Sequence, residues 1–311
     1  MPLTISVIIP TLNRKKDLEK TLKSISKCSK KPTEILIIDQ SDNEETQNLC
    51  KDFPYLKIKY YKYHLRSSSL ARNFWINNVD KKTDIIQFFD DDILLEKDYF
   101  SELEKFFIEN KNAIGWVANI TSPARKITLF KKIWLFLLTG SFIQDKEYVT
   151  SWWFNVMPFK NPNNLVNVEW TSWCWMFFRK SIFDEWFHFE TNFVKYSLME
   201  DCFLSYWIHK KYNNSLYFVP SIKLTHCESP ASRIANKQRI YQNIIHRYYF
   251  IKKFNKSYFA YLRTMFIFFC FDFYQYRTFD ILKYYRQWLM YIIKNKDKIL
   301  EINFNDFIFW A

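Results

Sequence analysis

Glycine is almost missing from this chain. Among 311 residues there are two, Gly115 and Gly140. A glycine-rich dinucleotide turn and a phosphate-binding P-loop each need several glycines in one short loop, so neither is available. A bound nucleotide would have to be held another way. Long apolar runs are missing too. The longest, IWLFLL (133–138) and MFIFFCF (265–271), fall well short of the ~20 residues that span a bilayer, and no transmembrane helix is expected. The six cysteines, at positions 28, 50, 174, 202, 227 and 270, form no CxxC. That spacing argues against a disulfide framework and a structural zinc site, and it suits a reducing cytosol. The opening MPLTISVIIPTLNRKK has no basic segment ahead of its short apolar run, so it does not read as a signal peptide.

What is present is apolar and aromatic. Hydrophobic residues make up 49% and aromatics 21%, enough for a sizeable core. Net charge is +13 and unevenly spread: residues 1–230 hold 31 Lys and Arg against 27 acids, whereas residues 231–300 hold 14 against 3. The basic character belongs to the C-terminal quarter and implies an anionic partner there.

The pattern predicts strands at TISVIIP (4–10), TEILIIDQ (from 33), IKYYKYH (58–64) and DIIQFF (84–89), alternating with helices over the segment after Thr11, over 69–79 and over 96–110. In the first helix Leu18, Leu22 and Ile25 recur at helical spacing, with Asn13 as the expected N-cap. This alternation implies an α/β fold with a mostly parallel sheet flanked by helices. Beyond residue 115 the pattern is less regular. A strand is expected at IGWVANI, a strand and turn or short helix over 168–183, a helix over 199–211, and one or two strands over 215–226. From about 232 onward the sequence reads as helical.

Asp39 and the triplet Asp90, Asp91 and Asp92 stand at strand ends, where ligands of such sheets bind. A hard divalent cation prefers carboxylate oxygens and commonly bridges to a diphosphate. Alternate side chains of an extended segment share a face, so Asp90 and Asp92 point together and Asp91 elsewhere. A solvated acidic turn is the alternative for the triplet taken alone.

In order and spacing, SVIIPTLNR, ILIIDQSDN, LRSSSLARNFWINN and IIQFFDDDILLEKDYF resemble the inverting family-two glycosyltransferases of GT-A fold, of the bacterial surface-polysaccharide type. The resemblance is strongest over residues 4–110. It implies that Pro10, Thr11, Asn13 and Arg14 line the nucleotide base and ribose, and that Asp39 accepts a hydrogen bond from one of them. Gln40 and Asp42 depart from the family's usual acid and Gly-Ser. Arg66, Arg72 and Asn73 fall in the donor-side segment, with a structural ion pair as the alternative for Arg72. Asp90 would meet ribose or metal, and Asp92 the metal. Asp91 is grouped with the nucleotide-sugar set, with local hydrogen bonding as its alternative role. The family's histidine after the last strand matches His226, a third ligand for Mg²⁺ or Mn²⁺, with Ser232 and Arg233 following in a loop over the diphosphate. The acidic pair in MEDCF implies Asp201 as general base, with Glu200 the second candidate; a helix N-terminal charge is the alternative. Of Trp170, Trp173 and Trp175, Trp173 is the expected acceptor contact and core packing the default for the others.

The resemblance thus implies transfer of one sugar from a nucleotide-diphosphate sugar to an acceptor hydroxyl, in polysaccharide or lipid-linked glycan synthesis. The expected division is a catalytic domain over 1–230, with a nucleotide-sugar half (1–115) and an acceptor half (116–230), followed by a basic aromatic helical extension over 231–311. In that extension Ile240, Ile244, Tyr248 and Ile251 share a helical face beside Lys and Arg. This suits a helix lying in the cytoplasmic surface of the membrane; a core cap or an oligomer interface is the alternative. A basic aromatic nucleic-acid-binding protein is a rival, but the charge excess avoids the α/β part and no such motif appears. A sugar-nucleotide pyrophosphorylase-like enzyme would need the glycine-rich loop this chain lacks. A catalytically dead scaffold would not need to keep both the D-x-D and the acidic pair.

Overall fold

The computed structural model describes residues 2–64, 67–121, 128–142, 144–151, 154–158, 160–171, 176–193, 198–227, 229 and 236–300. Its centre is a nine-stranded sheet. Its first four strands are β1 (Ile5–Thr11), β2 (Glu34–Asp39), β3 (Ile58–Lys62) and β4 (Ile85–Phe88). They lie side by side in the order β3-β2-β1-β4, all parallel. The β-branched runs of β1 and β2 are buried almost throughout, as expected where helices cover a parallel sheet. Those helices are α1 (Lys15–Lys27), α2 (Glu45–Lys51), α3 (Ser68–Ile76) and α4 (Tyr99–Glu109).

The second half departs from the expected mostly parallel sheet. β10 (Met176–Arg179) enters antiparallel between β4 and β6 (Gly115–Ile120). β6 runs parallel to β11 (Leu216–His226), which pairs antiparallel with β5 (Ile93–Leu95) and with β9 (Val166–Asn167). The sheet is mixed because β10 arrives from a long excursion rather than from a helical crossover. Its insertion explains one of the two glycines. A Cβ on Gly115 would lie 2.4 Å from Cδ1 of Phe178, so only glycine lets these strands approach. The other, Gly140, has φ 75° and closes α5 (Leu129–Thr139) in the left-handed conformation favoured at helix ends. The excursion also carries a small hairpin, β7 (Tyr148–Val149) and β8 (Asn155–Val156).

Helix α1 buries Leu18, Leu22 and Ile25 as its periodicity requires. Its N-cap, however, is Arg14, with no side-chain cap bond, rather than Asn13. Asn13 sits at φ 54°, a left-handed turn that asparagine tolerates, and its N–H donates to Ser41 Oγ at 2.7 Å.

After the short α6 (Ser181–Glu185), α7 (Glu200–Lys211) joins two apolar clusters. Leu204 and Ile208 belong to the core of the sheet. Cys202, Phe203 and Tyr206 belong to a second core, built with α8 (Asn236–Lys253), α9 (Tyr258–Tyr276) and α10 (Asp280–Asn295). A helix buried on both sides has no polar face to keep, and every residue from Glu200 to Tyr206 is buried. The C-terminal region is thus a three-helix cap on α7. The face of α8 expected to point outward points in: Ile240, Ile244, Tyr248 and Ile251 are all at most 2% exposed, because α9 and α10 fold back over it. Among the described residues, no helix is long and apolar enough to cross a membrane.

Candidate active site

The triplet lies between β4 and β5, beyond the carboxyl ends of β1 and β2. It meets His226 because β11 pairs with β5, which sets His226 opposite Ile93. The Cys227 amide donates to the Asp92 carbonyl at 2.8 Å and continues the pairing. From α1, Thr21 Oγ1 lies 2.9 Å from the carbonyls of Asp91 and Ile93 and accepts from the Ile93 amide at 3.0 Å. One buried hydroxyl therefore fixes the backbone on both sides of Asp92.

Asp90, Asp92 and His226 each offer a ligand atom, and these atoms lie within 4.8 Å of one another. Asp92 Oδ2 accepts from Arg14 Nη2 at 2.7 Å and from the Ser229 amide at 2.8 Å. Asp92 Oδ1 is buried and faces His226 Nε2 at 3.2 Å. Two carboxylates and an imidazole, with one oxygen aimed into their shared space, are a donor set that fits a hard divalent cation such as Mg²⁺ or Mn²⁺. Burial works against ionisation of Asp92, yet His226, the Ser229 amide and Arg14 hold its carboxyl well below the usual range.

Asp91 and Asp92 form a turn rather than an extended segment, so strand alternation does not set their directions, and Asp91 has its own partners. Its oxygens take Arg14 Nη1 at 2.7 Å and the Thr11 hydroxyl at 2.8 Å. Burial nevertheless pushes its carboxyl up to about 7, with Asp90 and Asp92 adding to the rise. Arg14 thus forks across Asp91 and Asp92 and relieves part of the triplet's repulsion.

The strand-end loops are tied together. Asp39 is fully buried. It accepts from the Ser41 amide at 2.9 Å, the Tyr60 hydroxyl at 2.8 Å and Lys62 Nζ at 3.4 Å. The Gln40 amide donates to the Thr11 carbonyl at 2.9 Å. Pro10 is half-buried at the end of β1.

Helix α7, which carries the acidic pair, opens at Met199 with φ 73°, an unusual conformation for a long side chain. The turn sets Glu200 and Asp201 into different surroundings. Glu200 is 2% exposed and is held by the Arg72 guanidinium and the Ser69 hydroxyl of α3. Arg72 is 1% exposed and lies over the Phe189 ring. Asn73 grips the Phe189 backbone with both ends of its amide, at 2.7 and 2.8 Å. Asp201 is 6% exposed; its Oδ1 accepts from the Cys202 amide at 2.6 Å. Trp170 is core, with Nε1 donating to the Val156 carbonyl at 3.0 Å. Arg66, Trp173, Ser232 and Arg233 lie outside the described residues.

The structure therefore gathers Thr11, Arg14, Asp90, Asp91, Asp92 and His226 into one cluster. Arg72, Asn73 and Glu200 are engaged in contacts that fasten α3 to the second half of the chain. Thr21 and Ser229 contribute without any sequence motif to announce them, and Ser69 lies within LRSSSLARNFWINN without having been singled out. A cavity of about 450 Å³, lined by Phe142, Gln144, Lys160 and Asn161 among others, opens beside β6. Asn161 is anchored there on Asn119 and the Ile120 carbonyl.

The family model for glycosyl transferase family 2 matches residues 6–187. The chain belongs to that family. Its sequence is similar to glycosyltransferase GlyA of Streptococcus pneumoniae, 31% identical over 107 residues, 34% of this chain and 15% of that protein. It is also similar to the poly(ribitol-phosphate) beta-N-acetylglucosaminyltransferase TarP of Staphylococcus aureus, 32% identical over 113 residues, 35% of this chain and 34% of that protein. The chain thus spans about a third or less of these curated relatives. In fold it resembles the mannosyltransferase PcManGT of Pyrobaculum calidifontis, solved with GDP-Man and Mn²⁺, with a TM-score of 0.57 and 12% identity over 94% of this chain and 77% of that one. The architecture is the GT-A fold.

Proposed function

We propose that this chain is an inverting, metal-dependent glycosyltransferase that moves one sugar from a nucleotide-diphosphate sugar to an acceptor hydroxyl. The observation that carries this reading is the cluster of Asp90, Asp92 and His226, whose ligand atoms lie within 4.8 Å of one another. These residues would hold Mg²⁺ or Mn²⁺, which when bound offsets the charge of the departing diphosphate. The loop from Pro10 to Arg14, with Asp39, frames the nucleoside side. Arg14 keeps Asp92 ionised and turned toward the cluster. Asp201 takes the proton of the acceptor hydroxyl as that oxygen bonds to the anomeric carbon. The bond from that carbon to the diphosphate breaks on the opposite face, and the nucleoside diphosphate leaves with the electron pair. Glu200 is held by Arg72 and Ser69, which favours Asp201 as the base.

We assign the acceptor half to residues 116–230, with the cavity beside β6 on its side, and the helical extension to 231–311. The names of TarP and of the Bacillus subtilis relative, a minor teichoic acid biosynthesis protein, support a bacterial surface polysaccharide or its lipid-linked precursor as acceptor. On this reading the protein works at the cytoplasmic membrane surface. The test is a thermal-shift panel of nucleotide sugars with and without Mn²⁺, followed by turnover. One donor should stabilise the protein only with metal, and Asp201→Asn should keep that shift and lose transfer. Full transfer by this variant would remove Asp201 from its role, and tight oligonucleotide binding with no donor shift would remove the whole reading.

A further inference from the structure

Helix α8 hides its apolar face, but the helices packed around it show another. On α9, Phe259, Leu262, Phe266 and Phe273 stand at i, i+3, i+7 and i+14, a single helical stripe. Their exposures are 83%, 38%, 67% and 37%. On α10, Leu282, Met290 and Ile293 form a second stripe, 47%, 49% and 54% exposed. Leu129, Ile133 and Leu137 do the same on α5. The stripes adjoin one another. The Phe273 ring meets Phe279, 78% exposed, at 5.9 Å between α9 and α10. Arg263 Nη2 of α9 donates to the Leu137 carbonyl of α5 at 2.5 Å. An apolar patch of this extent on a water-facing surface calls for a partner.

The charge around it selects that partner. Lys283, Arg286 and Lys294 are exposed on the same side of α10 as its apolar stripe, and Arg277 and Lys132 border α9 and α5. Residues 231–300 carry three acids, and one of them, Asp272, is buried against the Tyr285 hydroxyl at 2.8 Å. A second copy of this chain would bring the same cations to the same face and be repelled. An anionic bilayer surface offers apolar depth for the phenylalanines and negative headgroups for the rim. We propose that the joint outer face of α5, α9 and α10 docks on an anionic lipid bilayer, lying in its interface without crossing it. This rests on the reading that the enzyme works at a membrane surface. It replaces α8 with a defined set of contact residues.

The test uses the full chain and sedimentation with unilamellar vesicles of phosphatidylcholine, with or without phosphatidylglycerol. The parent should co-sediment with the phosphatidylglycerol vesicles and release at high salt. Phe259→Ser with Phe266→Ser should weaken partitioning by about tenfold or more at unchanged melting temperature. Lys283→Glu with Arg286→Glu should weaken it too, whereas Tyr55→Ser, at an exposed tyrosine between α2 and β3, should not. Parent-like partitioning of the phenylalanine double variant overturns the proposal. So does a parent that ignores both vesicle types, whether or not it self-associates through Phe259. Donor binding measured on the same preparations keeps this outcome separate from the enzymatic reading, because vesicle partitioning needs no donor.

Discussion

Replacing Arg72 by methionine isolates the buried pair between α3 and α7. The side chains of Arg72 and Glu200 are 1% and 3% exposed in their ion pair. Without the guanidinium, the Glu200 carboxylate keeps only the Ser69 hydroxyl among the contacts described above, in a place water does not reach. Breaking a buried pair by removing one partner costs about 3–5 kcal/mol. Against a total stability of about 5–15 kcal/mol, this is a large fraction, and for a chain of this size it corresponds to a melting-point fall of roughly 5–8 °C. Arg72→Met with Glu200→Met removes both charges and should recover most of that loss, since an apolar pair of similar volume is often neutral or better. The assay is thermal and urea denaturation followed by circular dichroism, with donor affinity measured on each folded variant. If Arg72→Met melts within 2 °C of the parent (well under the ~5 °C expected) and instead loses donor affinity, then Arg72 serves the donor and the structural assignment is wrong.

Two further substitutions probe the scaffold. Thr21→Val keeps shape but strips the hydroxyl from the backbone around Asp92. It should cost about 1–3 kcal/mol and weaken metal-dependent donor binding, whereas unchanged metal affinity would deny Thr21 a positioning role. Glu147 is buried with Oε2 unbonded, and burial pushes its carboxyl up from 4.5 to about 7. A carboxyl raised by folding binds protons more tightly in the native state. Its stabilising effect is complete below about 4.5 and is lost as pH rises through about 7. Glu147→Gln should therefore be more stable than the parent by about 1–3 kcal/mol near pH 8, with the gap closing toward pH 4.5; a gap that does not change with pH would contradict this.

How much was legible beforehand follows the range of the interactions. The four parallel strands and the helices expected after Thr11, over 69–79 and over 96–110 are written locally, in β-branched runs and helical repeats, and all of them form; α2, seven residues that bury only Thr46 and Leu49, carries no such repeat and was missed. The D-x-D and the acidic pair could be found as motifs because chemistry demands those residue types close together. The grouping of His226 with the triplet depends on β5, three residues long and missed as a strand, since three apolar residues after an acidic turn carry no period. Arg14 reads as one basic residue at a helix start; its fork across Asp91 and Asp92 arises only when β1 and β4 lie side by side. The direction of α8 was misjudged for a related reason. Periodicity shows that a helix has an apolar face, and only its neighbours decide whether water or protein covers it.

The central claim is that Asp90, Asp92 and His226 hold a divalent cation against a nucleoside diphosphate. Calorimetric titration with UDP and GDP, with and without Mn²⁺, tests it most directly on the parent and on Asp92→Asn. The account predicts that one diphosphate binds at least about tenfold more tightly with Mn²⁺, and that Asp92→Asn abolishes this gain while the protein stays folded. Equal affinity with and without metal in the parent, or an undiminished gain in Asp92→Asn, would contradict it.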